Sequence, residues 1–204
     1  PYDPLDAVMT ESLQEPSSAH PFGTDKLGRD LLSRVIFGTR TSLIMTLCLV
    51  AVIFVIGTFL GVIAGYFGGV VDAVIMRIAD MMISFPGLVL AIAIAGMLGP
   101  NLVNAVISIA AVSWTKYARL ARSMVLKVKK SLYIEAAVVN GTKTWKILLV
   151  HILPNMVTQM VVTAAADIGT MMLELASLSF LGFGATAPTP EWGLMLNEGR
   201  TYMA

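Results

Sequence analysis

The sequence predicts an all-α, polytopic membrane protein, and three observations carry that prediction. Hydrophobic residues make up 56% of the 204 residues and charged residues only 13%, about half the charged share of a soluble domain. The charges, 14 basic and 13 acidic, are clumped, and none falls in 41–71 or 81–115, gaps of 31 and 35 residues. A bilayer core of roughly 30 Å is crossed by about 20 apolar residues in a helix, so each gap holds at least one span. The second gap is followed by a strongly basic segment, the asymmetry that orients spans. A soluble enzyme core, a nucleic-acid partner and a disordered chain are excluded together, whereas the net charge of +1 says little.

Residues 1–30 carry Pro1, Pro4, Pro16 and Pro21 with Gly23 and Gly28 and no apolar periodicity, which reads as an extracytoplasmic aqueous loop. A surface helix from Leu31 leads into a first span over 42–66, closed by a Gly68-Gly69 turn. The second span, 74–98, is preceded by Arg77 and Asp80, placed three apart and so on one helical face. Pro86 should kink it, as membrane helices tolerate. Gly99-Pro100-Asn101 closes this span, and a third covers 102–123. Eight basic residues then follow against the single acid Glu135: Lys116, Arg119, Arg122, Lys127, Lys129, Lys130, Lys143 and Lys146. Loops rich in Lys and Arg stay inside, so 124–154 is cytoplasmic. Arg29, Arg34 and Arg40 then stand on the opposite side against the rule. A fourth span covers 155–177 and runs outward to an extracytoplasmic segment, 178–204, where Trp192 anchors the interface. Membrane lipid surrounds the transmembrane core, 31–177.

The cytoplasmic loop divides at Asn140-Gly141. Ser131 is an N-cap type before Glu135-Ala136-Ala137, Gly141 suits a left-handed helix stop, and Thr142 can cap a second helix. Trp145, Leu148, Leu149 and Ile152 then share a stripe until Pro154 ends the helix. A helix, turn, helix projecting from a membrane protein is suited to a partner's groove. On the fourth span, Met160, Thr163, Asp167, Thr170, Met171 and Glu174 recur at steps of three or four and define one face. A carboxylate inside the membrane marks a pathway or a buried partner. This face is therefore expected to line a translocation path that attracts cations, or else to pair with a basic residue on a partner. Cys48 reads as packing, since a single cysteine supports no disulfide framework. No catalytic constellation and no metal-ligand set is expected; His20 and His151 each lack a second ligand nearby.

Several of these strings resemble a known family. Glu135-Ala136-Ala137, Gly141 six residues after the glutamate, and His151-Ile152-Leu153-Pro154-Asn155 resemble the coupling loop of ABC importer permeases. The likeness extends to His20-Pro21-Phe22-Gly23-Thr24-Asp25, Gly28-Arg29-Asp30, Arg40-Thr41-Ser42-Leu43, Arg77 with Asp80 and Pro86, and Leu178-Ser179-Phe180-Leu181-Gly182. Together these resemble the second permease subunit of the peptide and nickel importers. The resemblance implies the type I permease fold of six spans, four of them within this chain, so the chain reads as the middle of a longer subunit. It also implies a second homologous permease, two cytoplasmic ATPase subunits that bind ATP and Mg, an extracytoplasmic substrate-binding protein, and a place in a bacterial or archaeal cytoplasmic membrane. Coupling to the ATPases would fall to Glu135, Ala136, Ala137, Gly141, Trp145, His151 and Pro154. This chain would bind no cofactor, and it has no Gly-rich phosphate loop ending in Lys-Ser/Thr.

The strings at 167–173 and 186–193 resemble nickel permeases more than the dipeptide branch, so nickel or a metal chelate is the expected cargo and peptide the alternative. Two other function classes are weaker. An ion-gradient transporter leaves the 135–155 motif without a role, and an intramembrane enzyme lacks a nucleophile and base pair.

Overall fold

The structure is a computed structural model and describes residues 2–202. Among these residues the architecture is helical, with no named strand and one isolated bridge, Thr24 to Asp30. The main helices are α1 (Leu31–Phe67), α2 (Gly69–Ile83), α3 (Gly87–Leu98), α4 (Leu102–Val128), α5 (Leu132–Val139), α6 (Thr144–Lys146), α7 (Leu153–Phe180) and α8 (Trp192–Gly199).

Three boundaries differ from those the sequence suggests, each for a local reason. The surface helix and first span are one helix of 37 residues, roughly 55 Å long, because nothing between Leu31 and Phe67 breaks the pattern. Pro86 does more than kink a span: it separates α2 from α3, which are bent by 91°. Pro154 does not end a helix. Residues Ile147–Ile152 form a π-helical segment, with the Leu153 N–H bonded to the Leu148 carbonyl, and the helical run continues from Thr144 to Phe180. Proline removes one donor, and the shifted register of a π turn accommodates that loss.

Two helices, Leu31–Phe67 and Thr144–Phe180, are long and apolar enough to cross a membrane, or three if the bent pair counts as one span. α4 is long enough at 27 residues, but Lys116, Arg119 and Arg122 interrupt its apolar run.

The chain divides into two compact units. Among the described residues one unit comprises 2–48, 91–109 and 170–202. Its centre is ionic. Arg29 and Arg34, each with a side chain only 1% exposed, share Glu198 at 3.1 and 3.0 Å, and Arg29 also meets Asp25 at 2.6 Å. Two of the three arginines that offend the charge rule, Arg29 and Arg34, are thus neutralised where they stand. Asp30 caps α1, accepting the Ser33 N–H at 2.8 Å, and faces His20 at 3.0 Å. Burial raises the Asp30 carboxyl, but hydrogen bonds from Ser33 and His20 outweigh it and hold it below the ordinary carboxylate value. Glu191 caps α8 through the Gly193 and Leu194 N–H groups. The Trp192 indole N–H donates to the Val35 carbonyl, a use inside the protein that its expected role as an interface anchor did not include.

The second unit, 49–90 and 110–169, is packed through small residues. Gly57, Gly61 and Gly65, four apart on α1, meet α4 so closely that a Cβ on Gly61 would lie 2.3 Å from the Ala118 carbonyl oxygen. Such glycine spacing lets helix backbones approach in lipid, where burying apolar surface gives no advantage. Tyr117, Ala118, Ala121 and Val125 of α4 are fully buried against this stripe, and Ile134, Ile147, Ile152, Met156 and Met160 complete the core. Cys48, in the first unit, is exposed, which corrects its assignment to packing.

Candidate functional site

Two sites stand in the second unit. The first is the loop around α5. Ser131 occupies the N-cap position, but its hydroxyl donates to the Val128 carbonyl instead of capping. The other end closes as the sequence suggests: Gly141 has φ +71, its N–H reaches the Val138 carbonyl, and the Thr142 N–H reaches that of Ala137. These two bonds satisfy the last carbonyls of α5 only if the chain turns left-handed, which glycine does without strain. Lys143, not Thr142, holds the N-cap position of α6.

Only Ile134 anchors α5 in the core. Glu135 and Ala136 are exposed and Ala137 half-buried, while Leu132 is 83%, Val139 86% and Trp145 59% exposed. Large apolar side chains left exposed together mark a candidate interaction surface. His151 is half-buried and Pro154 exposed. The Asn155 amide bridges the His151 carbonyl and the Tyr133 hydroxyl, so the end of the motif holds the loop against α7.

The second site is a row of ion pairs along α4. Lys116 pairs with Asp167 of α7, Arg119 with Asp80 of α2, and Arg122 with Asp72 of α2. Arg77 and Asp80, though three apart on one helical face, are not joined; Asp80 turns to Arg119 of α4 instead. Asp167 is held most completely. The Lys116 Nζ lies 2.6 Å from Oδ1 and 2.8 Å from Oδ2, and the Tyr117 hydroxyl donates to Oδ2 at 2.9 Å. The basic partner expected from another subunit is supplied by this chain itself.

The face expected to line a path is divided in its environment. Met160 and Asp167 are buried in the second unit and Met171 in the first, Thr163 and Glu174 are half-buried, and Thr170 is exposed. A different face of α7 borders an open cavity of 800 Å³, where Asn155, Thr158 and Gln159 face Ser123 and Lys127 of α4 with Tyr133 of α5. Sequence reasoning missed this lining. Its signal was the mixed polar spacing 155, 158, 159, which the carboxylates on the neighbouring face overshadow. The Gly57, Gly61, Gly65 stripe was also missed, though its four-residue repeat is legible. Among the described residues no group of three or more His, Cys, Asp or Glu side chains is arranged to hold a metal ion.

Residues 57–204 match the family described as binding-protein-dependent transport system inner membrane component. The chain belongs to that family. This permease is 45% identical over 202 residues to a probable D,D-dipeptide transport system permease protein of Escherichia coli K12, covering 99% of this chain and 68% of that relative. It is 47% identical over 204 residues to a glutathione transport system permease protein of Pectobacterium atrosepticum, covering all of this chain and 68% of the relative. A nickel transport system permease protein of E. coli K12 is 39% identical over 203 residues, covering 73% of its length. The permease is an all-α, multi-pass protein of the inner membrane and a transport subunit, with ATP hydrolysis residing in separate components. The peptide relatives are more similar to it than the nickel relative is, so similarity does not support the nickel branch to which the local strings pointed.

Proposed function

We propose that this permease is one of two homologous membrane subunits of an ATP-driven peptide importer, served by two cytoplasmic ATPases and an extracytoplasmic binding protein. The observation that carries the coupling role is the α5 loop. Its left-handed stop at Gly141 presents Glu135, Ala136 and an apolar rim of Leu132, Val139 and Trp145 to a partner groove, with Glu135 available to an Arg or Lys at the groove's edge. Closure of the ATPases would displace this loop, and the π-helical segment carries that displacement into α7 without a break in the helix. This chain contributes no nucleotide chemistry.

Peptide cargo is favoured over nickel by the dipeptide and glutathione relatives and by the neutralised Asp167. A carboxylate already bonded to an ammonium and a phenol has little left to offer a divalent cation. The test is uptake by the whole complex, reconstituted with its ATPases and binding protein, of Ala-Ala and of nickel. ATP-dependent Ala-Ala uptake is expected, and nickel uptake without it would establish the metal-chelate alternative. In the same assay Gly141→Asp places a carboxylate in the left-handed turn at φ +71, on the surface offered to the ATPase, and should lose ATPase assembly and uptake together. Retention of both would remove the coupling role.

A further inference from the structure

We propose that Lys116, positioned by Asp167, is a specificity-determining residue that takes the terminal carboxylate of a peptide on its way through the permease. The inference rests on the peptide-import reading and assigns one residue within it.

Ionisable groups in membrane helices are costly and face the protein interior, a partner charge or a water-filled path. Here the two members of the pair stand in unequal surroundings: the Asp167 side chain is 7% exposed and that of Lys116 is 59% exposed. The buried carboxylate accepts from both Lys116 and Tyr117, which fixes it in place. An ammonium has three N–H donors, and Asp167 has two oxygens within reach of it, so a donor remains for the exposed side. The pair is therefore a dipole with its positive end outward.

What that positive end borders is set by helical spacing. Lys116, Leu120, Ser123 and Lys127 fall at steps of four, three and four, one face of α4, and the last three line the 800 Å³ cavity together with Thr158 and Gln159 of α7. Lys116 thus stands one turn beyond the cavity lining, on the same face of α4. An ammonium attracts a carboxylate strongly, through a charge-assisted hydrogen bond, whereas a bare divalent cation is repelled by it. Asp167 acts through Lys116, holding the ammonium in place through both carboxylate oxygens, and does not itself touch the substrate.

The discriminating experiment uses the full complex in proteoliposomes, with Ala-Ala and its C-terminal amide each supplied at concentrations that saturate the same binding protein. Wild type should import the acid in preference to the amide. In Lys116→Gln the acid should fall about tenfold further than the amide, the scale of one charge-assisted hydrogen bond, bringing the ratio of the two rates toward one. A merely structural role would lower both substrates alike, and that result, or an unchanged ratio, overturns the proposal. Lys116→Arg keeps the charge and should keep the preference even if the Gln variant fails to assemble; its loss in an assembled Arg variant overturns the proposal equally. If wild type imports neither substrate with ATP, the peptide-import reading has failed, an outcome distinct from a wild type that imports peptide with a ratio indifferent to Lys116.

Discussion

The packing of α1 on α4 makes Gly61→Ala the most exacting test of the fold. A Cβ at Gly61 would stand 2.3 Å from the Ala118 carbonyl oxygen, 2.7 Å from the Ala121 Cβ and 3.0 Å from the Ala118 carbonyl carbon. Ordinary carbon contacts lie at about 3.5–4.0 Å, so the helices must part by roughly 1 Å. The obstacles are backbone and a Cβ, neither of which can rotate away. Overpacking of this kind costs about 1–3 kcal/mol, and the rigidity of the obstacles puts this site at about 2–3 kcal/mol. Alanine recovers up to about 1 kcal/mol of helix propensity, leaving a net loss of about 1–2 kcal/mol and a melting temperature lower by roughly 2–8 °C on the scale of soluble domains of this size. Gly169→Ala is the matched comparison: it too is helical, but nothing lies within 4 Å of the new Cβ, so it should melt at or slightly above wild type. Melting of the purified complex in detergent, followed by its monodisperse fraction after heating, reads both. A Gly61→Ala protein as stable as the Gly169→Ala protein would refute the close-approach argument. Because Ala118 adjoins Tyr117, the same variant should loosen the Tyr117 to Asp167 bond and lower transport further than its stability alone accounts for.

Glu198→Gln leaves Arg29 and Arg34 buried with Asp25 as their remaining carboxylate. Breaking such a buried cluster costs about 3–5 kcal/mol, visible as a large drop in melting temperature and faster tryptic cleavage within 2–30; wild-type resistance would refute a structural role for the cluster. Asp30→Ala removes the α1 cap, about 1 kcal/mol, and takes the partner of the buried His20 Nδ1, about 1–3 kcal/mol more. Asp30 titrates below its unfolded value, so its stabilisation is fully present above about pH 4 and is lost as pH falls through the folded value. The gap between wild type and Asp30→Ala should accordingly be constant near neutrality and close in acid; a gap that widens on acidification would reverse the assignment. Leu132→Ser and Val139→Ser, at side chains more than four-fifths exposed, should leave melting within about 0.5 kcal/mol of wild type yet weaken ATPase co-purification. Loss of stability without loss of binding would contradict the docking surface.

Much of the fold is legible in the sequence because its signals are local. Long charge-free runs determine apolar helices, Asn140-Gly141 determines the stop of α5, and the acid before Leu31 is of the type that caps a helix. The sequence misleads where one local signal competes with another of longer range. Pro154 is a helix breaker by rule, yet the chain around it relaxes into a π turn. Pro86 is a tolerable kink by rule, yet here it separates two helices at 91°. Arg77 and Asp80 are suitably spaced for each other, but Arg119 on α4 is the stronger partner for Asp80 once α2 and α4 are adjacent.

By itself the sequence determined that this protein lives in a membrane, that it is helical, and where the stop of α5 lies. Each of these depends on residues within a few turns of one another. Only the tertiary structure decided which charges are spent and which are offered. Arg29 and Arg34 are neutralised by Glu198, about 165 residues away, and Asp167 by Lys116, 51 residues away. The partner of a buried charge is set by which elements pack together. Charge spacing along one chain does not contain that information, so the carboxylate singled out on α7 is the buried member of its pair and the lysine facing it the exposed one.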